Sequence, residues 1–219
     1  VLNSAPDFVL TTDNGAFRDF RSAVLRYEKR HANGWSLHSS LVWTDLNGNI
    51  LKNNGYADEY RDRNGLTNAD GRMDYAYSEW EFKLNGVVDL PLGFQASGQY
   101  AFFSGWFWTP YVRIGDLGDY GYNGSTGRNI NLVPRGSEKF PDRHLLDLRI
   151  AWTKRFQKVA LSASLECFNA LNKSTVLDVY NRWGTCYLED GSCSQRGNYG
   201  DTYQIEFPRQ IRAGVRFSF

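Results

Sequence analysis

The residues best suited to hold another molecule in this chain are aromatic. WFWTPY (106–111) is followed by DLGDYGYNG (116–124), so Trp106, Trp108, Tyr111, Tyr120 and Tyr122 share one polar stretch with scattered aspartates. Flat rings stack on sugars or peptide side chains, and hydroxyls and carboxylates orient what is stacked. These five are the candidate ligand-binding residues, for a small-molecule or peptide substrate. The competing reading makes Trp106 and Trp108 interfacial anchors and leaves the tyrosines to loop packing.

A second cluster is acidic. DEYRDRNGLTNADGRMD (58–74) gathers hard oxygen donors, with Asp58, Asp62 and Asp70 the weak candidates for a structural calcium site beside Glu59 and Asn64. The spacing departs from an EF-hand, so an ordinary solvated loop competes, and no other cofactor is expected. His31, His38 and His144 are widely separated, and no HExxH, nucleophile elbow or phosphate loop occurs. The chain is therefore expected not to be an enzyme. Cys186 and Cys193 sit close together among turn-forming residues in CYLEDGSC, which predicts a disulfide formed in an oxidising compartment; two unpaired thiols are the alternative. The spacing does not resemble a zinc site, and Cys167 falls on an apolar phase as a small hydrophobe.

Bulk properties narrow the partners. With a net charge of +1 across 219 residues and no basic block, nucleic acid is not an expected partner. Aromatic residues make up 16% of the chain, yet its mean hydropathy is −0.51. No apolar run approaches the length of a membrane-spanning helix, but a barrel strand hides its lipid-facing side in alternation and escapes that test.

The elements that must position these residues are strands. Period-two alternation marks seven segments: 21–29, 35–43, 80–90, 94–102, 144–154, 159–167 and 211–219. In the third, Trp80, Phe82, Leu84, Gly86, Val88 and Leu90 oppose Glu81, Lys83, Asn85 and Asp89. The connections separate into short turns (31–34, 91–93, 156–158) and long polar loops (about 44–78, 104–142, 169–206), in strict alternation. Antiparallel neighbours return to the same side at every second connection, so the short turns share one end and the long loops the other. That is the layout of an outer-membrane barrel, with short periplasmic turns and long extracellular loops. Nine residues from Trp35 to Trp43, tilted by about 40°, rise on the order of 20 Å, close to an apolar band about 25 Å tall. Aromatics fall at both levels: Trp35, Phe94, Trp152, Phe217 and Phe219 near the short turns, and Trp43, Trp80 and Phe102 near the long loops. Seven is odd, while bacterial single-chain barrels use even strand numbers. The expected fold is thus all-β: the last seven or so strands of a larger antiparallel transmembrane barrel, with residues 1–219 forming the C-terminal part of one barrel domain.

Three passages carry a family resemblance: HLLDLRIAWTKRF with VALSASLECFNALNKSTV, LPLGFQASGQYAFFSGWFWTPY, and the closing PRQIRAGVRFSF. Across essentially its whole length the chain resembles the C-terminal part of a TonB-dependent outer-membrane receptor of the Oar-like group, in which FNALN (168–172) matches an FNLFN-like segment after the penultimate strand. The resemblance implies a barrel of about 22 strands in the bacterial outer membrane, in contact with lipid and lipopolysaccharide. It also implies that the strand ending in Phe217 and Phe219 closes the barrel and signals to the barrel assembly machinery. Energised uptake in that family needs a plug domain and the TonB system, which act through an N-terminal part that this sequence does not contain. The expected function is substrate uptake across the outer membrane; the alternatives are a passive porin, an adhesive or structural surface barrel, or a soluble aromatic-rich binding domain.

Overall fold

The computed structural model describes residues 15–49, 67–74, 77–115, 128–157, 159–187 and 190–219. One antiparallel meander dominates: β1 (Arg18–Ala32), β2 (Trp35–Gly48), β3 (Trp80–Asp89), β4 (Phe94–Phe103), β5 (Arg143–Phe156), β6 (Val159–Phe168) and β7 (Gln210–Ser218), paired in chain order. All seven expected strands are present; β1, β2 and β5 run several residues beyond the alternating cores that identify them. No helix among the described residues is long and apolar enough to cross a membrane.

The short turns have local causes. Between β1 and β2, Asn33 and Gly34 take positive φ of 55° and 78°. Two left-handed residues in a two-residue loop match the twist of the flanking strands, and Asn-Gly tolerates that conformation. Between β3 and β4, Pro91–Gly93 makes a single tight turn with Leu92 at φ 63°. The Trp152 indole N–H donates to the Leu92 carbonyl at 3.1 Å, so an aromatic anchor on β5 fastens the neighbouring turn. Gly93 is required there, because a Cβ would lie 2.4 Å from the Thr153 carbonyl oxygen.

Register carries the two faces across the whole sheet. Leu37, Gly86, Gly98, Leu148, Cys167 and Ile211 form one apolar rung; Ser36, Val87, Ser97, Arg149, Glu166 and Arg212 form the next, on the opposite face. Trp43 pairs with Trp80 and Phe82 with Phe102 near the long-loop end. The polar face is concave, since one groove is lined by residues of β2 through β7, among them His38, Gln99, Asp147 and Arg212.

Burial is arranged inside out. On the apolar face Leu165 is 51% and Val215 67% exposed, whereas Met73 is 1% and Phe107 3% exposed at the long-loop end. Most of the fully buried apolar residues, including Ala69, Val112 and Phe140, lie in the connections rather than in the wall. A water-soluble sandwich would bury its alternating face in a core; here that face is turned outward, as in a wall whose solvent on that side is lipid.

The long connections are not structureless. Tyr111–Gly115 pairs in parallel with Arg182–Tyr187, in antiparallel with Arg128–Asn131, and Arg182–Tyr187 also pairs with Cys193–Gln195. Val176–Val179 pairs with Thr202–Ile205, and Phe107–Trp108 with Glu138–Lys139. The expectation of three polar loops thus needs an addition: segments far apart in sequence build a second, smaller β layer over the long-loop end.

Candidate functional site

Three connections lock together at that end. Gly71–Arg72 adds to the end of β2, and Gly71 also bridges Arg135. The side-chain amides of Asn68 and Asn131 each donate to the other's backbone carbonyl, at 3.0 and 3.1 Å. Beneath them Thr109, 2% exposed, donates its hydroxyl to Asp74 Oδ1 at 2.7 Å and accepts the Gly136 N–H at 2.8 Å. Burial raises the Asp74 carboxyl above its ordinary value, against the lowering pull of the Thr109 hydroxyl, the Arg135 charge and the Gly136 N–H. Desolvation raises the Tyr77 phenol in the same way.

The third connection is fastened at its base. Asn169, the Asn that follows Phe168 in FNALN, holds φ 46°, a left-handed conformation that asparagine tolerates. Its backbone N–H donates to Asp147 Oδ1 at 2.8 Å, and its side-chain amide donates to the carbonyls of Lys173 and Phe207. Asn172 Oδ1 accepts the Arg209 N–H at 3.0 Å. Arg143 at the start of β5 donates through Nε and Nη2 to Glu206, at 2.9 and 2.7 Å. The sequence motif is therefore a clasp that brings both ends of a long loop to the rim of the wall.

The predicted ligand residues divide between places. Trp106 is half-exposed and lines a small pocket with Phe140, Val176 and Gln204. Trp108 stacks on Phe140 with ring centres 5.8 Å apart. Tyr111 lines a different cavity, about 360 Å³, together with Tyr180, Tyr203, Arg182, Arg196 and Asp178. Sequence reading passed over these last five, because no local pattern unites them. Tyr120 and Tyr122 lie outside the described residues, as do Asp58 and Asp62; Asp70 is described, and accepts the Asn49 side-chain amide at 2.9 Å. Cys186 and Cys193 face each other across a hairpin and are joined by a disulfide. Phe217 and Phe219 stand exposed at the end of the chain, on the apolar phase of β7 and just beyond it.

The polar face of the wall carries paired charges. Glu166 sits between Arg149, at 3.1 Å, and Arg212, which reaches it through Nε at 2.6 Å. His31 Nε2 lies 2.9 Å from Asp89 at the short-turn end. These are wall-to-wall contacts on the concave side.

No protein-family model matches the chain, and no curated protein matches it in sequence. Among solved structures, it is similar to the ferripyoverdine receptor of the outer membrane of Pseudomonas aeruginosa, bound to ferripyoverdine, with 13% identity and a TM-score of 0.53 over 92% of this chain and 20% of the receptor. It is likewise similar to the outer membrane transporter YddB from Escherichia coli, with 18% identity and a TM-score of 0.51 over 94% of this chain and 26% of that protein. The chain thus spans about a quarter or less of the length of the proteins it matches. With the two-faced meander and its sorted connections, the likeness shows the fold of this chain: seven consecutive antiparallel strands arranged as in a section of an outer-membrane β-barrel wall, with short turns at one end and long loops at the other.

Proposed function

We propose that this chain is the C-terminal wall and extracellular mouth of a TonB-dependent outer-membrane receptor that takes a substrate across the outer membrane. The observation that carries the reading is the inside-out wall capped by cross-paired extracellular loops: a lipid-facing barrel whose mouth is built rather than left open. In this reading β1 and β7, each paired on one side only among the described residues, are closed by further strands, because lipid leaves unpaired backbone groups unsatisfied. The concave charged face meets a plug, and the TonB system supplies the energy through that plug. Phe217 and Phe219 present the terminal strand to the barrel assembly machinery. Trp106, Trp108 and Tyr111, with Tyr120 and Tyr122, contribute to substrate capture at the mouth.

Outer membranes run on a gel unboiled and boiled, and probed for the C-terminal segment, test this. The expected result is a heat-shifting band far above 25.1 kDa. A soluble, unshifted band near that mass overturns the reading. A passive pore would differ in a second measurement, since its uptake persists when the inner-membrane proton gradient is collapsed.

A further inference from the structure

Within the loop layer two arginines line one cavity, whose lining also includes Asp178, a carboxylate that accepts the Val179 N–H. Arg182 opens one strand of the Cys186–Cys193 hairpin, and Arg196 follows its partner strand, its backbone N–H donating to the Trp183 carbonyl at 2.8 Å. The disulfide therefore holds the two side chains at the open end of one hairpin. Parallel pairing sets Tyr111 opposite Arg182. The Tyr180 N–H donates to the Asp201 carbonyl, and Val179 pairs with Thr202, which brings Tyr203 alongside. Tyr203 meets Tyr180 edge to face at 5.1 Å, and the Arg196 guanidinium lies 5.5 Å from the Tyr180 ring.

The result is a cavity of about 360 Å³, within the range of small-molecule sites. Arg182 donates only to neutral oxygens, those of Gly184 and Thr185. Among the described residues neither Arg182 nor Arg196 is ion-paired, although the wall nearby pairs Arg143 and Arg149 with glutamates. With two arginines and one aspartate the lining is net positive, a charge that an incoming anion offsets. Guanidinium groups suit carboxylates, and the tyrosine faces offer a stacking surface beside them.

We propose that Tyr111, Tyr180, Tyr203, Arg182 and Arg196 form a binding site for a carboxylate borne on a flat ring. The inference rests on the receptor reading for its role in capture, but the site itself is testable without uptake. Purified intact receptor in detergent is examined by saturation-transfer NMR with benzoate, and with benzamide as the neutral analogue. Benzoate is expected to bind roughly tenfold more tightly than benzamide, and Arg196→Gln to remove that preference, the magnitude of one charged hydrogen bond. Tyr203→Ser, at an exposed position, is expected to weaken both probes by several fold. Equal binding of the two probes, or an Arg196→Gln receptor that keeps the preference, overturns the site. The same samples are run unboiled and boiled: loss of the preference with the heat shift intact counts against the site alone, and absence of the heat shift in the parent protein counts against the receptor reading.

Discussion

The side-chain amide of Asn169 donates to the carbonyl oxygen of Phe207 at 2.7 Å, so the residue that leaves β6 holds the chain that re-enters β7. Replacing it tests the clasp. Asn169→Ala removes donors to two backbone carbonyls at a 6% exposed position, which costs about 1–3 kcal/mol for each acceptor left unsatisfied. Asn169→Gly loses the same donors but tolerates φ 46°, and is expected to retain about 1 kcal/mol more than Ala. Amide exchange across residues 169–209 should rise in both variants, more in Ala, while the heat shift of the barrel persists. Equal protection in variant and parent would remove the clasp.

Glu166 is the only acid between Arg149 and Arg212 in its rung, and it holds both. Glu166→Gln leaves two cations facing each other on the concave side. Both arginines are substantially exposed, so screening limits the loss to about 1–2 kcal/mol. The unfolding temperature of the unboiled barrel should fall, and Glu166→Gln with Arg149→Gln should fall by less than the sum of the single changes. Additive losses would mean that the three groups do not act together.

Asp74 gives the loop layer a pH dependence with a defined sign. Its folded carboxyl is raised above the ordinary value of 3.8, so the folded layer binds this proton more tightly than the unfolded chain does. The stabilisation is fully present below that ordinary value and is lost as pH rises through the raised one. Opening free energies from amide exchange at residues 104–115 should therefore decrease with rising pH across that window. Asp74→Asn, which keeps an oxygen to accept from Thr109, should flatten the slope; an unchanged slope assigns the effect to another group.

The disulfide closes a loop of sequence separation 7, for which chain entropy gives about 2–3 kcal/mol. Changing Cys186 and Cys193 to Ser should speed exchange at residues 182–187 and 193–196. It should also speed exchange at 111–115, because that strand is paired to the hairpin. The barrel's heat shift should not change. If exchange rises in the hairpin alone, the parallel pairing does not couple the two loops.

The wall was readable in the sequence because each strand repeats the same instruction every second residue, and the turns that join them are local: Asn33-Gly34 and Pro91–Gly93 are set by their own conformational preferences. The position of Trp43 and Trp80 near the long-loop end followed from the same alternation; their pairing across β2 and β3 did not. The loop layer was not readable. Tyr111 and Arg182 are neighbours through a parallel pairing between loops, and no short-range pattern announces a contact across so much chain. The arrangement of the candidate residues suffered accordingly, since Trp106 and Tyr111 look like one cluster in WFWTPY but line separate pockets. The one available signal was the disulfide: arginines at 182 and 196 bracket Cys186 and Cys193, and closing that bridge brings the flanks together.

The parallel pairing of Tyr111–Gly115 with Arg182–Tyr187 also sets how this loop layer can be rebuilt. Each loop supplies the backbone partners of the other, so neither is a self-contained module. Transplanting one of them onto a foreign barrel would strip hydrogen bonds from the loop left behind as well as from the one moved. The smallest unit that can be exchanged with its shape preserved is the pair of loops together with the β5–β6 hairpin that spaces them, and variation that arises in one strand is constrained by what its neighbour across the seam will accept.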